Sequence, residues 1–230
     1  MGLRDELESS VTATFKERWK TRDGIKVPES NDLKLTNDAV KLDGVVLYAD
    51  MSASTQLVEQ KKATFAAKVY KVYLYCAARI INSAGGVITA YDGDRIMAVF
   101  IGNNKNTNAT QTALKINYAR LKIINPAIKK QYPKSTYKLK HVVSIASSEL
   151  FVARTGVRGA NDLVWVGNAA NYAAKMCALS NEYSTRISEE VYKRINNNAK
   201  YDSKGKNMWE SARWDYKGKT IYTSNYWRSI

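Results

Sequence analysis

Gly44-Val45-Val46-Leu47-Tyr48-Ala49-Asp50, running straight into Met51-Ser52-Ala53-Ser54-Thr55, decides how this chain is read. Five consecutive apolar or aromatic residues make a buried strand of ordinary length. It ends in a carboxylate and gives way to a small, hydroxyl-rich turn. The pattern recurs in Gly85-Gly86-Val87-Ile88-Thr89-Ala90-Tyr91-Asp92-Gly93-Asp94, followed by the apolar run Ile96-Met97-Ala98-Val99-Phe100. A carboxylate at a strand end, beside a turn whose backbone N–H groups are available, can hold a divalent cation against a phosphate. Two such carboxylates on adjacent strands could hold a metal pair about 3.5–4 Å apart, the arrangement suited to in-line phosphoryl chemistry. Each half alone has an ordinary explanation: Asp50 as a helix N-cap, Asp92-Gly93-Asp94 as a hairpin turn.

Composition sets the frame. The 230 residues suit one domain with some decoration, and 45% apolar content with three prolines excludes a disordered chain. No apolar run approaches the roughly 20 residues of a membrane span. The charged start Met1-Gly2-Leu3-Arg4-Asp5-Glu6 is not a signal peptide, and Cys76 and Cys177 make no disulfide framework; both point to a cytoplasmic protein. His141 is the one histidine, so a histidine-based zinc site has no support. A net charge of +15 could serve nucleic acid, but the lysines are dispersed and no nucleic-acid-binding motif accompanies them. The same field would steer a nucleoside triphosphate into a cleft.

Along the chain, Leu3, Leu7, Val11, Phe15 and Trp19 at i,i+4 spacing predict an amphipathic helix over 3–20, a packing arm or a dimer contact. A polar connection over 21–41 follows, giving an N-terminal arm (1–41) and a main domain (42–230). The main domain should open with a strand (44–50) and a single helix of about 30 residues ending at Gly85-Gly86. A strand pair (87–91 and 95–101), a helix (106–130), strands near 139–147 and 149–155, and a loop over 155–162 come next. A helix (168–180), a short strand (184–187), a small helix (188–195) and a terminal hairpin (208–216, 220–227) complete it. The expected class is α+β: a ferredoxin-like mixed sheet covered by helices.

Four blocks in this order resemble the catalytic domain of the class III nucleotidyl cyclases, over roughly residues 43–227. They are Tyr48-Ala49-Asp50-Met51 with Thr55; Gly85-Gly86 with Gly93-Asp94; Val166-Gly167-Asn168-Ala169-Ala170-Asn171-Tyr172-Ala173-Ala174-Lys175-Met176; and Tyr216-Lys217-Gly218-Lys219. The resemblance implies closure of a nucleoside triphosphate to its 3′,5′-cyclic monophosphate with loss of pyrophosphate. It implies two divalent metal ions, Mn2+ or Mg2+, on Asp50, Asp94 and the Met51 carbonyl. The N–H groups of Ser52, Ala53, Ser54 and Thr55, together with Lys217, would take the triphosphate. Asn171 would orient the ribose, and Lys175 would offset charge at the α-phosphate, where most family members carry Arg. Family sites draw on two domains, and one chain here carries both sets of residues, so a C2 homodimer with shared sites is implied.

At the family's base-reading positions this chain has Ala90, four residues before Asp94, and Val164, seven before Asn171. Neither purine code is present. Without it, the chain is most similar to the pyrimidine cyclases of bacterial anti-phage systems, which implies UTP, or else CTP, and a product that acts on a separate effector protein. Tyr91, Arg95 and Asn168 are further candidates for the base. The alternatives are an adenylyl cyclase with a relaxed pocket, a non-catalytic nucleotide sensor, and a basic nucleic-acid-binding module.

Overall fold

A computed structural model describes residues 2–230. In chain order they form α1 (Leu3–Lys16), β1 (Lys20–Asp23), β2 (Asp38–Ser52), α2 (Ser54–Gln60), α3 (Ala63–Ser83), β3 (Val87–Asp92) and β4 (Arg95–Phe100). Next come α4 (Lys105–Tyr118), a π-helical turn (Ala119–Ile124), α5 (Asn125–Gln131), β5 (Lys140–Val157) and β6 (Ala160–Val166). The chain ends with α6 (Asn168–Cys177), β7 (Thr185–Ser188), α7 (Glu189–Arg194), α8 (Asn197–Lys200), β8 (Glu210–Trp214) and β9 (Lys219–Ser224). The α+β class and the mixed sheet with helices are as the sequence implies. No helix among the described residues is long and apolar enough to cross a membrane.

Two compact units share the chain: residues 44–148 with 168–230, and residues up to 43 with 149–167. In the larger unit the strands lie in the order β3-β4-β2-β5-β7-β9-β8. β5 and β7 are parallel, whereas β2–β4, β3–β4, β7–β9 and β8–β9 are antiparallel. Val45, Leu47 and Ala49 from β2, Ile96, Ala98 and Phe100 from β4, and Val143 and Ile145 from β5 share one core with Val69, Tyr73, Ala77 and Ile81 of α3. That alternation along β2 is what fixes Asp50 at the rim of the core. Gly86 has no room for a side chain, because a Cβ there would meet the Phe100 ring at 2.5 Å.

In the smaller unit β1 pairs in parallel with the start of β2, and β6 pairs antiparallel with the end of β5. Leu33, Ala39, Leu42, Leu150 and Val152 are buried. α1 buries none of its residues, and its root is held by Asn37 Nδ2, which donates to the Thr14 and Glu17 carbonyls at 2.8 Å each.

Several boundaries differ from the sequence expectation. The long helix breaks at Lys61–Lys62 into α2 and α3; β2 begins six residues earlier than expected; the two strands expected over 139–155 are one strand, β5. The loop expected over 155–162 is a hairpin that carries β6. The helix over 3–20 stops at Lys16, after which Lys20 enters β1.

Candidate active site

The β2–β4 register sets Asp50 opposite Arg95, one residue after Asp94, so the two carboxylates arrive at neighbouring strand ends. Arg95 Nη2 donates to Asp50 Oδ2 at 3.0 Å, and its guanidinium stands 5.9 Å from the Tyr48 ring centre. Burial raises the pKa of the Asp50 carboxyl; Arg95 opposes this, and Asp94 and Asp92 add to it. Asp94 Oδ2 is buried and has no hydrogen-bond partner. A buried carboxylate oxygen without a donor, beside a second carboxylate matched by a cation, is an oxygen-donor set that fits a hard divalent ion. The backbone of buried Met51 directly follows Asp50.

Ser52 closes β2, and Ala53 takes the left-handed conformation (φ 59°, ψ 34°) as the N-cap of α2. That turn starts the helix at Ser54, so the first N–H groups of α2 have no partner within the helix.

A second cluster forms on α6 and the β8–β9 turn. Ala169, Ala170, Tyr172, Ala173, Met176 and Cys177 form the buried face of α6, which leaves Asn171 and Lys175 together on the exposed face. α6 is seated by Ala169 N donating to Ser148 Oγ at 2.9 Å and by the 2.8 Å contact between Ser144 Oγ and Cys177 Sγ. Burial pushes the Cys177 thiol up to about 12, so it is an inert packing group and not a nucleophile. Lys175 Nζ lies 4.7 Å, and Lys217 Nζ 5.5 Å, from the centre of the Tyr216 ring. Tyr216 packs in turn on Trp214 and Tyr172, at 5.0 and 5.9 Å between ring centres. Lys217 has φ 59°, a left-handed conformation that is costly for a residue with a Cβ, and Gly218 follows with the same φ.

The structure thus brings Asp50, Asp94 and Arg95 into one cluster, and Lys175 and Lys217 onto one aromatic ring. Ala90 and exposed Tyr91 lie on β3; Asn168 starts α6; Val164 lies in the smaller unit on β6, paired with Ala153. Sequence reading missed the part of Tyr216 as the platform for both lysines. Its signal was the Trp214–Tyr216 alternation directly before Lys217-Gly218. It also missed that Arg95 pairs with Asp50, which only the strand register reveals.

Known proteins bear on this arrangement. No family model matches the chain. The adenylyl cyclase CyaB from P. aeruginosa superposes with a TM-score of 0.69 at 21% identity, over 81% of this chain and 95% of that one. The guanylyl cyclase Cya2 gives 0.65 at 16% identity, over 80% and 91%. At these identities the match is one of fold. In sequence, a uridylate cyclase of Xanthomonas perforans is 52% identical over 99% of this chain and 98% of its own length. A uridylate cyclase of Burkholderia cepacia is 48% identical over 91% of each. With that identity spread over nearly its whole length, and with the cyclase fold beneath it, this chain belongs to the uridylate cyclase family.

Proposed function

We propose that the chain converts UTP to 3′,5′-cyclic UMP and pyrophosphate. The observation that carries this reading is the Asp50–Asp94 pair: two neighbouring carboxylates, one with a buried, unpartnered oxygen, in a chain about half identical to uridylate cyclases. In the reaction the ribose 3′-oxygen bonds to the α-phosphorus, the bond from that phosphorus to the bridging oxygen breaks, and pyrophosphate leaves with the electron pair. The 3′-hydroxyl proton passes to solvent.

Asp50, Asp94 and the Met51 carbonyl would hold two divalent ions, Mn2+ or Mg2+. Such ions supply charge neutralisation at the phosphates and lower the pKa of the attacking hydroxyl. The N–H groups of Ser52, Ala53, Ser54 and Thr55 would bind the β- and γ-phosphates, with Lys217 closing on them. Asn171 would orient the ribose and Lys175 would offset charge developing at the α-phosphate. Tyr216 holds both ammonium groups within reach of one ring, which restores some of the positional order that an Arg fork would give. By the family resemblance, in which Asp50 and Asp94 come from one domain and Asn171 and Lys175 from the other, a C2 homodimer would complete each site with residues of both copies.

Ala90 and Val164 cannot make the polar contacts by which a site rejects a wrong purine, which supports a pyrimidine substrate. Tyr91, Arg95 and Asn168 are the polar groups proposed to read uracil. By its family resemblance the product would be a messenger to a separate effector in a cytoplasmic anti-phage response. The test is incubation of the purified chain with Mn2+ and each of the four triphosphates, the products being identified by mass. Cyclic UMP as the main product is expected; a preference for ATP in direct competition would replace the reading with an adenylyl cyclase.

A further inference from the structure

Two apolar features of this chain complement one another. The first is α1, whose Leu3, Leu7, Val11 and Phe15 form one stripe, with Phe15 87% exposed. At 100° per residue, Glu6 and Glu8 fall on either side of that stripe, and Arg4, which lies within it, donates to Glu8 Oε1 at 2.8 Å. The second is a groove of about 530 Å³ between α3 and the π-turn with α5, walled by Val69, Val72, Cys76, Ile124 and Ile128. A cavity of about 680 Å³ adjoins it through Phe65 and Tyr132. Lys68 and Lys71 rim the groove, Lys61, Lys62 and Lys134 rim the neighbouring cavity, and neither is lined by an acidic residue. A soluble chain rarely leaves such contiguous apolar surface in water without a use for it.

We propose that α1 of one copy docks by its Leu3–Leu7–Val11–Phe15 face into the α3–α5 groove of a second copy, with Glu6 and Glu8 meeting the lysines at its rim. The charges match in sum: the first two turns of α1 carry Asp5, Glu6 and Glu8 against Arg4 and face an all-lysine border. The lengths match as well, since α1 spans about 21 Å and α3 about 31 Å. The root of α1 is tied down by Asn37, and just beyond it Trp19 packs edge-on against Phe151 at 4.9 Å, so the helix is an arm with a fixed base. Each copy offers one arm and one groove. A reciprocal exchange under two-fold symmetry would cover both stripes. The inference concerns self-association and does not depend on the reaction.

Native Cys76 on the groove wall makes the test direct, because Cys177, the other cysteine, is buried. A full-length Val11→Cys, Cys76→Ser chain with one tag is mixed with the wild-type chain carrying another tag and treated with a short bis-maleimide. Only a link between copies can join position 11 to Cys76 in this mixture. The expected result is a species of doubled mass bearing both tags. It should be lost when the partner is Cys76→Ser, and lost or sharply reduced by Phe15→Glu or by Glu6→Lys with Glu8→Lys. Circular dichroism of each variant checks that the fold is kept. A mixture that yields no doubly tagged species overturns the proposal. So does linkage only between two position-11 cysteines, or linkage confined to a single Val11→Cys chain that retains Cys76.

Discussion

Arg95 is bonded to Asp50 across the β2–β4 register, with Nη2 3.0 Å from Oδ2 and the carboxylate side chain only 16% exposed. A guanidinium therefore stands where the proposed chemistry requires a dication. Arg95→Ala should lower stability by about 1 kcal/mol, a figure reduced for the partial exposure of the pair, because a mostly buried carboxylate loses its counter-charge. Mn2+ should then raise the melting temperature of the variant more than that of the wild type, since the ion no longer competes with a resident cation. Equal shifts in a thermal scan would show that Arg95 does not oppose the metal.

Lys217 permits a cleaner separation of binding from folding. Its left-handed backbone costs about 1–2 kcal/mol, of which glycine would recover part while adding about 0.5–1 kcal/mol of unfolded-state entropy. Lys217→Gly should therefore fold with unchanged or slightly greater stability, whereas KM for the triphosphate rises at least tenfold, the equivalent of about 1.4 kcal/mol of lost binding. Lys217→Ala should show the same KM without the relief of strain. Denaturant unfolding beside steady-state kinetics reads both.

If each site is completed by two copies, Asp50→Ala and Asn171→Ala chains should both be inactive alone. Mixed to equal amounts with subunit exchange verified, about half the dimers are hybrids, each with one intact site of two. Activity should return to roughly a quarter of wild type. A mixture as inactive as its parts would place whole sites within single chains.

His141 gives the fold an acid limit. Complete burial, with Arg120 adding to it, holds the imidazole well below its ordinary 6.5, and neither ring nitrogen has a hydrogen-bond partner. Below pH 6.5 the unfolded chain takes up a proton that the folded chain refuses. This contribution is thus complete above 6.5 and is lost as pH falls, by up to about 1.4 kcal/mol per pH unit. His141→Phe, which keeps a ring beside Tyr73, should lose less stability than wild type between pH 7.5 and 5.5 in urea unfolding.

The carboxylate strand ends could be read because β2 and the β3–β4 hairpin are patterned by burial, and the Asp92-Gly93 turn announces itself. The faces of α6 followed from spacing alone. What could not be read depends on partners distant in sequence. Nothing in Glu59-Gln60-Lys61-Lys62-Ala63 marks a helix break, since these are all good helix formers, and no glycine or proline intervenes. β1 is polar and exposed throughout, and is held by its pairing with the start of β2. β6 looked like a loop because Gly156 and Gly159 suggest one, yet Gly156 lies within β5 opposite Asn161, and Arg158-Gly159 turn a hairpin whose strands pair from Phe151–Val166 to Val157–Ala160. The Tyr216 platform needed α6 and the β8–β9 turn to be brought together.

The smaller unit is built from two stretches separated by residues 44–148, and this bears on how the chain is made. Its first 43 residues emerge from the ribosome 105 residues before the β5–β6 hairpin segment that completes them begins. At about 5–20 residues per second, they wait roughly 5–20 s without their partner, with Leu33, Ala39 and Leu42, which the finished fold buries, still in search of cover. Over that interval much of the larger unit has been synthesised. The order of events during translation is thus written into the order of segments: the nascent arm emerges before the larger unit and settles only after most of it is made.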